Sequence, residues 1–185
     1  MKKILLPFII LVFMMSAKAQ DGELLSYWCV TDMPESGKTE LYNRAKEWVK
    51  KELGYSDEII LENNANERRI TAKGVLRYFQ KAPIMYGWNV AINYIVIIET
   101  KDKKYRCTIT EFNHSATWNV NADVEPMDLG IIKTTPPETN RKGVRSMIRK
   151  THDLALQKID EKANELINSL NDFMSNNTEK VEDDW

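Results

Sequence analysis

The segment at residues 89–100 constrains the fold more than any other part of the chain. Its length and β-branched composition predict a strand, and its side chains alternate between two faces that are both apolar at the centre. One face carries Val90, Ile92, Tyr94, Val96 and Ile98, and the other carries Ala91, Asn93, Ile95 and Ile97. A strand apolar on both faces is expected to be covered on both sides. We therefore expect a helix on one side, and the C-terminal helix or a second subunit on the other.

The neighbouring segments predict a small α+β domain. A turn at residues 101–103 leads into an apolar segment at 104–112, which predicts an antiparallel hairpin. Further strands are predicted at residues 24–31, 58–62, 69–75 and 130–134. A sheet of four or five strands is therefore expected.

Two helices are predicted from apolar residues that recur at steps of three and four. Residues 38–53 carry one apolar stripe and stop at Gly54. Residues 141–174 carry a second stripe, and a helix of this length reaches about 50 Å. Because that exceeds the size of the domain, we expect its distal half to project or to pair with a partner. The expected organisation is an α+β domain at 20–137, a long amphipathic helix at 138–175, and a disordered acidic tail at 176–185.

The N-terminus has the pattern of a secretory signal peptide at residues 1–19. Lys2 and Lys3 precede an apolar run at 4–15, and Ala17 and Ala19 form a small-x-small cleavage site. We expect cleavage near Ala19 and export to the periplasm or the exterior. No later segment has the roughly 20 apolar residues needed to span a bilayer, so no membrane span is expected in the mature chain.

The charge balance is slightly acidic. Residues 20–185 contain 23 Lys and Arg against 27 Asp and Glu, a net charge of −4. A nucleic-acid binder needs a basic face to neutralise phosphates, and this balance predicts that the protein lacks one. No nucleic-acid partner is therefore expected.

No motif with catalytic, metal-binding or cofactor-binding spacing is present. Ser36-Gly37-Lys38-Thr39 resembles the end of a phosphate-binding loop, but Asp32 stands where that loop needs its first Gly. We interpret it as a turn and a helix start capped by Ser36 or Thr39. His114 and His152 have no ligand spacing around them. No cofactor, metal or enzymatic activity is therefore expected.

Two groups of residues are candidates for a special role. Segment 75–88 is rich in aromatic residues and predicts either a ligand-binding loop or a strand end and connection buried under a helix. The binding candidates are Tyr78, Tyr86, Trp88 and Trp118. Cys29 and Cys107 either form a disulfide or remain two buried thiols, because nothing in the sequence shows that they meet.

A family resemblance covers residues 31–113. The residues that carry it are Lys38, Leu41, Tyr42, Trp48 and the hairpin that ends in Lys103-Lys104-Tyr105-Arg106. The chain resembles a family of exported Bacteroidetes proteins described as a domain of unknown function with a TATA-binding-protein-like (TBP-like) fold. The resemblance implies a curved antiparallel sheet with helices packed on one face, and it implies no activity.

The leading functional hypothesis is a non-enzymatic, exported binding or envelope-associated module. The doubly apolar strand and the long helix both favour a partner surface, through which the chain binds a protein or forms a homodimer. The first alternative is a small-ligand or lipid-binding domain that uses the concave sheet face and the aromatic residues. The second is a periplasmic hydrolase whose site is assembled in space.

Overall fold

The computed structural model describes residues 22–54, 56, 58–81, 87–118 and 127–176. The predicted signal peptide and residues 177–185 of the predicted tail lie outside these residues. The elements in chain order are β1 (Tyr27–Asp32), α1 (Lys38–Leu53), β2 (Ile60–Asn64), β3 (Arg69–Lys81), β4 (Gly87–Lys101), β5 (Lys104–Trp118), β6 (Gly130–Ile131) and α2 (Lys142–Asn176).

The strands form one antiparallel sheet in the order β1-β5-β4-β3-β2, and the short β6 pairs with β5. The predicted hairpin is confirmed, because β4 and β5 are adjacent and Lys101 lies opposite Lys104 at their turn. Both helices pack on one face of the sheet and share its hydrophobic core. The predicted α+β class is therefore confirmed, as is the curved antiparallel sheet with helices on one face.

Helix α1 has the predicted bounds. Its apolar stripe is buried against the sheet and includes Leu41, Ala45, Trp48 and Val49. The predicted cap is wrong, because the N-cap residue is Gly37 and no side chain caps the helix. The Ser36 hydroxyl instead accepts a hydrogen bond from Arg44 at 3.3 Å.

Helix α2 is an unbroken helix of 35 residues, as predicted. Its distal half does not project, because the apolar stripe from Ala155 to Met174 is buried in the core. The Arg44 guanidinium also donates to the Met174 carbonyl at 2.7 Å, which ties the end of α2 to α1. The exposed part is the first two turns, where Met147 is 41% exposed.

Within the described ranges, helices cover strand β4 on one side only. Ile92, Val96 and Ile98 are buried beneath the helices. Ile95 and Ile97 point to the other side and are half-buried. The expectation that the C-terminal helix covers this second side is wrong, because α2 lies next to α1 on the same face.

Neither helix of the described ranges is both long enough and apolar enough to cross a membrane.

Candidate functional site: the open face of the sheet

The face of the sheet opposite the helices is the candidate site, and we call it the open face. Its members are the residues that point away from the helices on five strands. In the described ranges no helix packs on it. Its central residues are Trp28, Val30, Val75, Phe79, Ala91, Ile95, Ile97, Thr108 and Thr110.

Apolar side chains on the open face are unusually exposed for a sheet. Trp28 is 48% exposed, Val30 is 46% exposed and Phe79 is 47% exposed. An antiparallel sheet with one solvated face normally alternates apolar residues inward with polar residues outward. Strand β4 departs from this rule at Ile95 and Ile97. The open face thus retains apolar surface that the described residues leave uncovered.

The open face is also basic. Among the strand residues that face this side, cationic side chains outnumber carboxylates by seven to three. The cations are Arg69, Lys73, Arg77, Lys81, Lys101, Lys104 and Arg106. The carboxylates are Asp32, Glu62 and Glu99. Two of the cations are paired, Arg69 with Glu62 at 3.6 Å and Arg106 with Glu99 at 3.8 Å. The expectation that the protein lacks a basic face is wrong, because net charge does not determine how charges are distributed.

The β4–β5 end of the open face holds a shallow hollow of about 150 Å³. Its lining residues are Val30, Glu99, Lys101, Lys104, Tyr105 and Arg106. Lys101 and Lys104 are directly opposed in the register, although like charges in such positions repel each other. Lys103 in the adjoining turn has φ 62°, a left-handed conformation that an ordinary side chain rarely adopts. This end of the sheet therefore gathers Lys101, Lys104 and Arg106, with Asp32 opposite Lys104 and Glu99 paired with Arg106.

The predicted binding aromatics lie elsewhere. Trp88 is 4% exposed and Tyr78 is half-buried, and both point to the helix-covered face. Burial raises the pKa of Tyr78 to about 12. Trp118 is paired opposite Trp88 in the β4–β5 register. Tyr86 lies outside the described residues, and a ligand-binding role for these residues stays a prediction.

The aromatic segment is not one continuous loop. Strand β3 continues to Lys81 and β4 resumes at Gly87, so Tyr78 and Trp88 belong to paired strands. Gln80 on the covered face donates to the Thr151 hydroxyl of α2 at 2.9 Å. These contacts make this end of the two strands part of the core.

The two cysteines meet. Cys29 on β1 lies directly opposite Cys107 on β5. Both are free thiols, Cys107 buried and Cys29 half-buried. The sequence left the disulfide and the buried thiols as open alternatives, and the register now shows that the pair has the proximity that a disulfide needs.

The two histidines are buried and have different partners. His114 is fully buried, and burial lowers its pKa while Asp128 at 4.0 Å partly opposes that shift. His152 donates from Nε2 to the Lys133 carbonyl at 2.9 Å. In the part of the chain that the structure describes, no three His, Cys, Asp or Glu side chains gather as metal ligands.

The sequence interpretation missed the open-face residues Trp28, Phe79, Lys73 and Arg77. The sequence of β3 carried a signal, because four basic residues recur in it at intervals of four: Arg69, Lys73, Arg77 and Lys81. That period matches a strand with one basic face. It became visible only once β3 was known to extend past residue 75.

The fold defines the class of protein: an α+β domain with a curved antiparallel sheet whose helices lie on one side. Residues 27–115 match the model of a family described as a domain of unknown function (DUF4468) with a TBP-like fold. This is the family that the sequence resembles, and the match runs from β1 into the second half of β5.

Two solved structures are similar to the chain. One is a DUF4468 family protein from Bacteroides ovatus, with a TM-score of 0.49 and 14% identity over 83% of this chain and 89% of that one. The other is a TBP-like protein from Parabacteroides distasonis, with a TM-score of 0.46 and 14% identity over 84% of this chain and 97% of that one. No curated protein matches the chain.

Proposed function

We propose that this protein is an exported, non-enzymatic binding module whose open face holds an acidic segment of a partner protein. The observation that carries the proposal is the combination on one uncovered sheet face of exposed apolar side chains and a surplus of basic ones. Trp28 and Val30 supply apolar contact area, and Lys73 and Arg77 supply charge. Carboxylates steered by such charge arrive faster and in a defined orientation.

The chemistry of the face favours an extended peptide over a membrane. Ile95 and Ile97 are half-buried at the centre of the sheet. An interfacial anchor inserts its apolar groups about 5–10 Å into the bilayer, which groups recessed in a sheet do not do. A peptide chain can lie across the strands and reach these residues with its side chains.

The same face is a poor platform for single-stranded nucleic acid. Stacking successive bases requires neighbouring aromatic rings. The exposed aromatics of the open face are Trp28 on β1 and Phe79 on β3, and three strand spacings separate them. An acidic peptide needs only dispersed cations and apolar contacts, which the face provides.

Binding is tested with a fluorescent peptide of about twelve residues with the repeat Glu-Glu-Leu-Leu, because each side of such an extended chain presents both carboxylates and apolar side chains. Fluorescence anisotropy measures its affinity for the mature protein at low salt. The double variant Lys73→Glu/Arg77→Glu is expected to weaken binding at least about tenfold, or about 1.4 kcal/mol. The matched control is Arg149→Glu/Lys150→Glu, which makes the same charge change on the exposed side of α2 and is expected to leave affinity within about twofold.

Three results would overturn the proposal. Equal loss in both double variants would mean that only net charge matters. If a control peptide with Gln in place of every Glu binds with the same affinity, charge has no role in binding. Tighter binding to anionic vesicles or to an oligonucleotide than to the peptide would identify a different class of partner.

The export part of the proposal rests on the N-terminal pattern of residues 1–19. Expression in an exporting host, followed by intact mass and N-terminal sequencing, is expected to give a chain beginning at Gln20. A chain that retains Lys2 and Lys3 would contradict export by this route.

A further inference from the structure

We propose that Cys29 and Cys107 are a reversible dithiol–disulfide site that links the edge strand β1 covalently to β5. The proposal is independent of what the open face binds. It assigns a redox modification to this chain, with a small-molecule or protein disulfide as the oxidant.

The first argument is register. Cys29 and Cys107 are directly opposed on neighbouring antiparallel strands. The Cα atoms of such pairs lie about 4.5–5.5 Å apart. Disulfides bridge Cα atoms about 4.4–6.8 Å apart, so the bond can form with little movement of the backbone.

The second argument is the contact between the two thiols. The two thiols influence each other's ionisation. Their interaction lowers the pKa of Cys29, and the same interaction together with burial raises the pKa of Cys107. The pair is therefore polarised: Cys29 is the better nucleophile and Cys107 is the resolving thiol.

The third argument is access. Cys29 lies on the edge strand and is partly exposed, whereas Cys107 is fully buried. Tyr27 and Thr31, two positions to either side of Cys29 on the same face, contact Asp160 and Asn171 of α2. A disulfide oxidant therefore reaches Cys29 from the edge of the sheet, beside α2, and cannot reach Cys107 first.

The reaction balances with a disulfide of the form RSSR. The Cys29 thiolate attacks one sulfur of RSSR, which breaks its S–S bond, forms a mixed disulfide and releases RS⁻. Cys107 loses its proton to solvent and attacks the Cys29 sulfur, which releases the second RS⁻ and forms the Cys29–Cys107 bond. The protein dithiol loses two electrons and two protons, and the two thiols RSH carry them away.

The bond is expected to act on β1. This strand is paired on one side only and carries Trp28 and Val30 to the open face. A covalent link to β5 prevents β1 from fraying and closes a long loop of the unfolded chain. The oxidised form is therefore expected to keep these two side chains in place under conditions that release β1 in the reduced form.

The test incubates the folded, wild-type mature protein with oxidised glutathione. The protein is then unfolded in an alkylating agent and weighed by mass spectrometry. We expect a mass about 2 Da below that of the dithiol, no alkylation, and full return to the dithiol on reduction. We also expect the Tm to rise by about 10 °C on oxidation.

Two variants separate the roles of the thiols. Cys107→Ala is expected to stop at a stable glutathione adduct on Cys29, and Cys29→Ser is expected to leave Cys107 unmodified while the protein stays folded. Two wild-type results would overturn the proposal, and neither depends on a variant folding. One is that both thiols remain alkylatable after equilibration. The other is that the reaction ends in a glutathione adduct or in a disulfide between two chains.

Discussion

Ile97 and Ile98 are neighbours on β4, yet they lie on opposite faces of the sheet. Ile98 is completely buried beneath the helices, whereas Ile97 is half-buried between Thr71 and Thr108 on the open face. The covered face removes its apolar groups from water within one chain. The open face keeps part of its apolar surface exposed among the described residues. The comparison indicates which face maintains the fold.

The largest predicted difference in stability is between alanine variants of these two isoleucines. Ile98→Ala leaves a cavity in the core and should lower the free energy of unfolding by about 2–5 kcal/mol. Ile97→Ala removes the same atoms from a half-solvated site and should cost about 1 kcal/mol or less. Urea unfolding of both variants measures the difference. Equal losses would mean that the open face is covered in solution, as by a second copy.

A second contrast uses two arginines. Arg44 is buried and its guanidinium hydrogen-bonds Ser36 and the Met174 carbonyl, whereas Arg77 is exposed on the open face. Arg44→Met should lower the free energy of unfolding by about 2–3 kcal/mol, because hydrogen bonds to a charged group are lost and their buried partners are left unpaired. Arg77→Met should change it by less than about 0.5 kcal/mol. Similar results for the two would contradict the assignment of Arg44 as the link between α1 and α2.

A third contrast concerns packing of the covered face around Gly74. A Cβ at this position would collide with the ring of Tyr94, which lies directly opposite on β4. Gly74→Ala should therefore destabilise the protein by about 1–3 kcal/mol through overpacking. The control is Lys73→Ala, one residue away on the open face, which should be close to neutral. If Gly74→Ala costs as much in a Tyr94→Leu background as in the wild type, the collision is not the cause.

The smallest expected effect is a dependence of stability on pH. Burial lowers the pKa of His114 in the folded state, so below the unfolded value of about 6.5 the unfolded chain binds more protons than the folded one. The free energy of unfolding should therefore fall as the pH drops from 7 towards 5. His114→Gln should flatten this part of the profile, measured by urea titration at each pH. An unchanged profile would assign the dependence to another group.

Much of the secondary structure was predictable from local patterns. Helix α1 matches its predicted bounds because an apolar stripe and Gly54 define both its face and its end. Strand β5 was predicted to end at Phe112, yet it continues to Trp118. A bulge at Glu111, where φ is 57°, shifts the alternation, so that Phe112 and His114 are buried after Ile109. A period of two cannot be followed through an inserted residue, which is why the prediction stopped there.

The candidate site was harder to predict than the fold. The interpretation chose Trp88 because the segment before it is rich in aromatics, and the structure places this residue in the core. Trp28 stood in a predicted strand, but its exposure depends on which face of β1 the helices cover. The alternation of side chains shows that Trp28 and Cys29 lie on opposite faces of β1. It does not show which of those two faces is buried.

The sequence by itself determined the elements of this protein, their periodic faces and its α+β class, because those properties depend on residues close together in the chain. Only the tertiary structure decided that α1 and α2 share one face, that Cys29 meets Cys107, and that basic residues collect on the other face of an acidic chain. These outcomes depend on strand order, register and helix docking. Each of them is set by contacts between segments far apart in the chain, which local periodicity does not encode.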